Sequence, residues 1–307
     1  MNYIQQLALK NDVTWLESTF LSKRSDTIKI KREEAILLGL YAVYEDIIIN
    51  FNTQPIASIY PSGNPDDKNR DKLLWSGKKM LLDHYENPPN KLKENLVFRR
   101  REHGLSACPY CGNPVMPSTL DHFMPKDKWP EYAIYPDNLV PQCLDCAPIK
   151  GQSYYSHPKG SCEFVHPIYS DLLSRIGFNI HSIINNGEFT FRVTYKYDSS
   201  LTKNELERLK NHLISLNVNN RINDFCKRNI KKIINEQKTK NNDIRYFLNV
   251  KLSRYYNRLN LYSNWKDAFY SSLLNDDIIE YLNSLYKIEN QESSEGVISL
   301  ADLELEV

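Results

Sequence analysis

The chain has 307 residues, of which 41% are hydrophobic and 25% charged, and its formal net charge is +1. These values are ordinary for a soluble globular protein, and the absence of a run of about 18 apolar residues excludes a membrane span by sequence. Residues 1–10 lack the pattern of a secretory signal, and the six cysteines include four in paired spacing, which favours a reducing compartment. We therefore expect a cytoplasmic protein without a membrane partner.

Residues 1–95 are predicted to form a helical N-terminal region of unknown role. Apolar residues recur there at three- and four-residue spacing, which indicates one buried helical face: Ile36, Leu37, Leu40, Tyr41, Tyr44 and Ile47. Residues 71–84 predict another helix, with Leu73, Leu74, Met80 and Leu81 directed inward.

Residues 96–170 are rich in loops and contain two Cys-x-x-Cys pairs, Cys108/Cys111 and Cys143/Cys146. A two-residue gap lets both sulfurs reach one ion, and four thiolates form a closed tetrahedral zinc site that is structural in role. The alternatives are four free core cysteines or two disulfides. Residues 118–123 predict a short strand, and a helix is expected to start from Leu144 onward.

An acid, a histidine and an asparagine lie between the two cysteine pairs. His122 is the candidate general base, because a neutral imidazole accepts a proton from water near pH 7. Asp121 is the candidate ligand of a hard divalent ion, Mg²⁺ or Mn²⁺. Neighbouring side chains on a strand point to opposite faces, so both serve one site only where the strand ends or bulges.

Residues 171–288 are predicted to form a basic region of one strand, at 189–195, followed by helices. Between residues 221 and 258, eleven lysines and arginines stand against three acids, and this stretch includes Lys227 and Lys231. Such a stretch attracts polyanions, although a solvated helix face is an equally good explanation. Residues 289–307 are acidic and are expected to be a flexible tail.

The stretch from Cys108 to Gly151 resembles the HNH endonucleases of the ββα-metal type. The resemblance is carried by Cys108-Pro109-Tyr110-Cys111, Leu120-Asp121-His122-Phe123-Met124-Pro125, Asn138-Leu139-Val140-Pro141, Cys143-Leu144-Asp145-Cys146 and Lys150-Gly151. It implies an α+β, mainly helical protein in which a small zinc-stabilised module lies between helical regions. It also implies metal-dependent DNA hydrolysis that leaves 5′-phosphate and 3′-hydroxyl ends, with Asn138 supporting the loop or His122.

One position departs from the HNH pattern. Members of the family carry Asn or His directly after the last zinc cysteine, as a second ligand of the catalytic metal, whereas this chain has Ala147. Three explanations compete: an engineered inactivation, a naturally degenerate nuclease, or replacement by another side chain. His157 and His166 are the candidates for replacement, and His166 is preferred because it lies in a matching His-Pro segment.

The first functional hypothesis is therefore a bacterial anti-phage or mobile-element nuclease, which the resemblance associates with an ATPase partner. The residues expected to contact DNA are Lys150, Arg99, Arg100, Arg101, Lys227 and Lys231. The second hypothesis is a catalytically inactive, zinc-stabilised nucleic-acid-binding or adaptor subunit, which Ala147 favours. A third is an interaction protein whose acidic tail binds a partner. DNA sequence preference and oligomeric state are not determined by the sequence.

Overall fold

Helices form the N-terminal and C-terminal parts of the described sequence, and paired strands with one short α-helix lie between them in the chain. The computed structural model describes residues 1–9, 14–24, 27–50, 54–60, 72–240, 243–252 and 262–295, without the side chains of 29, 72–75 and 286–295. The helices are α1 (Thr14–Phe20), α2 (Thr27–Arg32), α3 (Glu34–Ala42), α4 (Tyr44–Ile49), α5 (Lys72–Glu86), α6 (Asn90–Arg101), α7 (Ala147–Lys150), α8 (Lys203–Ser215), α9 (Val218–Thr239), α10 (Ile244–Lys251), α11 (Trp265–Ser272) and α12 (Asp276–Glu295). The strands are β1 (Thr119–His122), β2 (Leu139–Gln142), β3 (Tyr155–Ser156), β4 (Ser161–Cys162), β5 (Ile176–Asn185) and β6 (Glu188–Tyr197).

The architecture is mixed α and β, with about half of the chain helical and with small two-stranded sheets. The sheets pair β1 with β2, β3 with β4, and β5 with β6. The expectation of a mainly helical α+β protein is thus confirmed at this level. The strands predicted at 118–123 and 189–195 are present as β1 and β6.

The chain divides into two compact units, and the first contains residues 1–176 and 197–218. In its N-terminal part the predicted helical face is confirmed only in part. Leu37, Tyr41 and Tyr44 are buried as predicted, whereas Leu40 and Ile47 are half-buried and Ile36 is 51% exposed. The helix is interrupted at Val43, and the turn of the face after this break buries Ile48 in place of Ile47. Met80 and Leu81 of α5 are buried as predicted, while the side chains of Leu73 and Leu74 lie outside the described residues. The predicted boundary near residue 95 falls within α6.

The second unit contains residues 177–196 and 219–307. The hairpin of β5 and β6 turns at Asn186 and Gly187, whose φ angles of 50° and 79° fit the type I′ turn that Asn-Gly favours. One face of α9 buries Ile222, Cys226, Ile230 and Ile233. Helix α10 packs against α11 and α12.

The C-terminal helix continues into the segment predicted as a tail. Helix α12 extends to Glu295, and residues 296–307 lie outside the described part of the chain. Among the helices that the structure describes, none combines the length and apolarity needed to cross a bilayer.

Candidate functional site

Four cysteines converge to form a candidate metal centre. The sulfurs of Cys108, Cys111, Cys143 and Cys146 all lie within 4.8 Å of one another, and the four residues are buried. The sulfurs of Cys111 and Cys143 are 3.8 Å apart. A tetrahedron with Zn–S bonds of about 2.3 Å has edges of about 3.8 Å, so this spacing fits a zinc ion. The cluster is therefore one that could hold zinc, and all six cysteines of the chain are free of disulfides.

Hydrogen bonds fix the two cysteine loops to each other and to α8. The Asn113 side chain donates to Asp145 Oδ2 at 2.9 Å, which joins the first cysteine loop to the second. His212 of α8 donates from Nε2 to the Tyr110 carbonyl at 2.7 Å, and its Nδ1 accepts from the Val165 amide. Burial lowers the pKa of His212 to about 4, so its ring is neutral at pH 7 and can donate one hydrogen bond and accept the other.

The cysteine cluster sets the position of the hairpin that carries the candidate catalytic residues. Strands β1 and β2 are antiparallel, with Asp121 opposite Val140 and His122 opposite Leu139. The first cysteine pair precedes β1 and the second follows β2. Helix α7 begins at Ala147, directly after the last cysteine, so one cluster holds both strands and the start of the helix.

His122 is the last residue of β1 and is half-buried. Its Nε2 lies 3.0 Å from the Ala133 carbonyl, which can only accept, so Nε2 carries the proton. The edge of its ring contacts Tyr85 of α5, with ring centroids 4.3 Å apart. Burial lowers the pKa of His122 to about 3. The imidazole is therefore neutral at pH 7, with Nδ1 as its proton acceptor.

Asp121 has different side-chain partners from His122, as expected for neighbours on a strand. It is 8% exposed, and its Oδ2 accepts a hydrogen bond of 2.6 Å from the Tyr110 hydroxyl. Its Oδ1 lies 3.1 Å from Nζ of Lys150, which is fully buried. Burial raises the pKa of Tyr110 far above its usual range, so the phenol stays protonated and donates to the carboxylate.

Lys150 is the point where the structure contradicts an expected DNA contact. Besides Asp121, its ammonium donates to the carbonyls of His122 and Phe123, each at 3.1 Å. It also lies over the rings of Phe123 and Phe164, at 5.6 and 5.5 Å from their centroids. An ammonium enclosed in this way does not reach a nucleic-acid phosphate.

Asn138 supports the backbone that follows His122, and all its amide groups are used for this. Its Oδ1 accepts from the Met124 amide at 2.7 Å and from the Tyr44 hydroxyl at 2.8 Å. Its Nδ2 donates to the carbonyls of Met124 and Tyr132, each at 3.0 Å. Asn138 is therefore a positioning residue for the segment after β1.

His166 does not replace the missing ligand. It is fully buried, its Nδ1 accepts from the Ile168 amide, and its ring packs against Tyr44, Phe123 and Tyr169. His157 is exposed. Among the described residues, the four cysteines form the cluster in which three or more ligand atoms of His, Cys, Asp or Glu converge. Neither Asp121 nor any described histidine belongs to such a cluster.

The other expected DNA contacts are distributed unevenly. Arg99 is 5% exposed, donates to the carbonyls of Leu139 and Leu7, and lies 3.6 Å from Asp137, so it braces the core and is not a surface contact. The remaining arginines and lysines are accessible to different degrees: Arg100 is half-buried, whereas Arg101, Lys227 and Lys231 are exposed.

Comparison with known proteins gives one short similarity. No protein-family model matches the chain, and no solved structure matches it. A stretch of 39 residues is 46% identical to protein ea31 of Escherichia phage lambda. The match covers 13% of this chain and 13% of that protein, so the chain spans about an eighth of the length of the relative that it matches.

Proposed function

We propose that this chain contains an HNH-type ββα-metal module and that it hydrolyses phosphodiester bonds in DNA. The order β1, β2, α7 around a four-cysteine cluster supports the module. The observation that carries the proposal is the position of His122 at the end of β1: Nε2–H donates to the Ala133 carbonyl, which leaves Nδ1 as the ring nitrogen that can accept a proton from an attacking water. Zinc bound by the four thiolates supplies structural rigidity to this arrangement and no chemistry of its own.

Among the described residues, the donors placed near His122 do not fit a catalytic divalent ion. The carboxylate next to it in the chain is Asp121, and a buried ammonium already neutralises that carboxylate. Ala147 has no donor atom, and the amide oxygen of Asn138 already accepts two hydrogen bonds. Mg²⁺ or Mn²⁺ needs several oxygen ligands in good geometry. We therefore propose that the nuclease activity of this chain is limited by its metal site and is gained when a ligand is restored.

Cleavage of supercoiled plasmid with Mg²⁺ or Mn²⁺ tests this function. We expect Ala147→Asn to raise cleavage over the unchanged chain. Position 147 lies one helical turn before Lys150, which contacts Asp121, so an amide oxygen there offers the metal a second ligand. Adding His122→Ala to Ala147→Asn is expected to lower the rate by about 10²- to 10⁴-fold, the usual contribution of a general base. The matched control is Lys128→Met in the Ala147→Asn chain. Lys128 is exposed, and this control is expected to cleave DNA at the rate of the Ala147→Asn chain.

Two results would contradict the nuclease proposal. One is an Ala147→Asn chain that is folded and binds DNA but cleaves none with either ion. The other is cleavage that persists unchanged in the Ala147→Asn/His122→Ala chain, which would remove the role of His122 as the base, on which the proposal rests.

The DNA contact proposed for α9 has its own test. Lys227 and Lys231 are exposed one helical turn apart and present two positive charges to solvent. We expect Lys227→Ala/Lys231→Ala to weaken DNA binding on all sequences and to reduce the slope of log K against log salt by about 2. The measurement is fluorescence anisotropy over a salt series, with Arg192→Ala on the β5–β6 hairpin as the comparison. An unchanged slope removes α9 from the binding surface.

A second candidate function is a catalytically inactive nucleic-acid-binding or adaptor subunit. It is favoured by the combination of Ala147 with the paired Asp121 and Lys150. The plasmid experiment separates the two, since DNA binding without cleavage in every variant supports the adaptor. The nuclease proposal includes a cytoplasmic location, an anti-phage or mobile-element role and an ATPase partner. The free cysteines agree with a reducing compartment.

A further inference from the structure

We infer that the ammonium of Lys150 is the resident cation of this site and that it keeps divalent metal ions away from Asp121. The inference rests on the proposed HNH-type site for its relevance to cleavage. Its geometry and its test concern binding of a cation and do not depend on activity.

The ammonium is fully satisfied by the groups around it. An ammonium has three N–H bonds, and Lys150 has three acceptors at 3.1 Å: the carboxylate of Asp121 and the carbonyls of His122 and Phe123. The aromatic faces of Phe123 and Phe164 add cation–π contacts from two other directions. Carbonyl oxygens and a carboxylate around one positive charge form a cation site that a side chain of the protein occupies.

The electrostatic consequence concerns Asp121. Each carboxylate oxygen has two lone pairs, so hydrogen bonds from Tyr110 and Lys150 do not by themselves prevent coordination. Charge does oppose it. A divalent ion on Asp121 would lie within a few ångströms of an ammonium that is fully buried and poorly screened, where like charges repel strongly.

The sequence around α7 completes the argument. Position 147, at the start of α7, would have to supply a second ligand to overcome this repulsion, and it carries a methyl group. Lys150 lies one helical turn further on and brings its own charge to the same carboxylate. A single helix of four residues therefore withholds a ligand and supplies a competing cation.

Titration of the zinc-loaded full chain with Mn²⁺, followed by the electron paramagnetic resonance of free Mn²⁺, tests the inference. We expect no binding that depends on Asp121 up to about 1 mM Mn²⁺, the range of weak ion sites. Affinity is expected to rise in the order unchanged chain, Ala147→Asn, Ala147→Asn/Lys150→Met, with the last step about tenfold or more. Lys128→Met, which removes an exposed lysine between β1 and β2, is the control and is expected to leave Mn²⁺ binding unchanged.

A measurement on the unchanged chain covers the case in which Lys150→Met fails to fold. A buried ammonium with three acceptors exchanges slowly and gives a lysine ¹H–¹⁵N signal, which Lys150→Arg removes and so assigns. We expect this signal to survive Mn²⁺ at about 1 mM. Three results would each overturn the inference. The first is submillimolar Mn²⁺ binding that Asp121→Asn abolishes, and the second is bleaching of the Lys150 signal by Mn²⁺. The third is equal Mn²⁺ affinity in the Ala147→Asn and Ala147→Asn/Lys150→Met chains. Absence of cleavage by a folded, DNA-binding Ala147→Asn chain would overturn the proposed function alone.

Discussion

Replacing Cys143 by serine, or removing metal with a strong chelator, is expected to unfold much of the first unit. The four cysteines are buried, and the loops that carry them are tied by polar bonds such as those of Asn113 and His212. Structural zinc binding is worth about 10–16 kcal/mol in small zinc domains, which equals or exceeds the whole stability of most domains, about 5–15 kcal/mol. Loss of the ion is therefore expected to cost as much as the whole free energy of unfolding of this region, or more.

Metal analysis and thermal unfolding followed by circular dichroism check this expectation. The unchanged chain is expected to contain one zinc per molecule and to lose its cooperative transition in the first unit when chelated. The matched control is Cys226→Ala, which alters a buried cysteine of α9 outside the cluster and is expected to retain the zinc. A chain purified without metal, with an unfolding midpoint that chelators do not change, would contradict the structural zinc.

The features that sequence predicts best here are those encoded in neighbouring residues. The Cys-x-x-Cys pairs predict the four-cysteine cluster, because their spacing alone lets the two sulfurs of each pair converge. The adjacent Asp121 and His122 lie at the end of β1, where the sequence predicts a strand, and their side chains have different partners, as expected for neighbours on a strand. Each of these patterns is readable within a few residues.

The features that sequence misses depend on residues far apart in the chain. His212 of α8 donates to the carbonyl of Tyr110, 102 positions away, and Lys150 of α7 lies against Asp121 of β1. No spacing rule links these residues, because their approach is set by tertiary packing. Helical periodicity does predict that Arg99, Arg100 and Arg101 differ in burial. Consecutive residues on a helix point about 100° apart, so one of three arginines can face the core while another faces solvent.

A local signal also existed for a strand that the sequence analysis does not predict. Strand β5 precedes β6, and the Asn186-Gly187 pair between them is typical of a two-residue hairpin. The alternation that predicts β6 is shorter in β5, where it holds from Ile176 to Ile180 and is lost at Ser182-Ile183-Ile184. Turn chemistry thus carries information that side-chain alternation alone does not.

Lys150→Met is expected to destabilise the first unit by about 3–5 kcal/mol, the usual cost of removing one partner of a buried ion pair. The substitution leaves the Asp121 carboxylate buried beside Tyr110, and it leaves the carbonyls of His122 and Phe123 without the donor that each now has in Lys150. Exposed Lys128→Met, which removes an equal charge from the surface, is expected to change stability by no more than about 0.5 kcal/mol.

A double-mutant cycle with Asp121→Asn separates the free energy of the Asp121–Lys150 ion pair from that of the other contacts of Lys150. If the ion pair dominates, Asp121→Asn/Lys150→Met is expected to be less costly than the sum of the single changes by about 1–3 kcal/mol, because the second substitution removes the charge that the first left unpaired. Denaturant unfolding of the zinc-loaded chains measures each free energy. Additive costs would show that Lys150 acts mainly through the His122 and Phe123 carbonyls. A cost below about 1 kcal/mol for Lys150→Met would mean that the pair contributes no more than a surface ion pair.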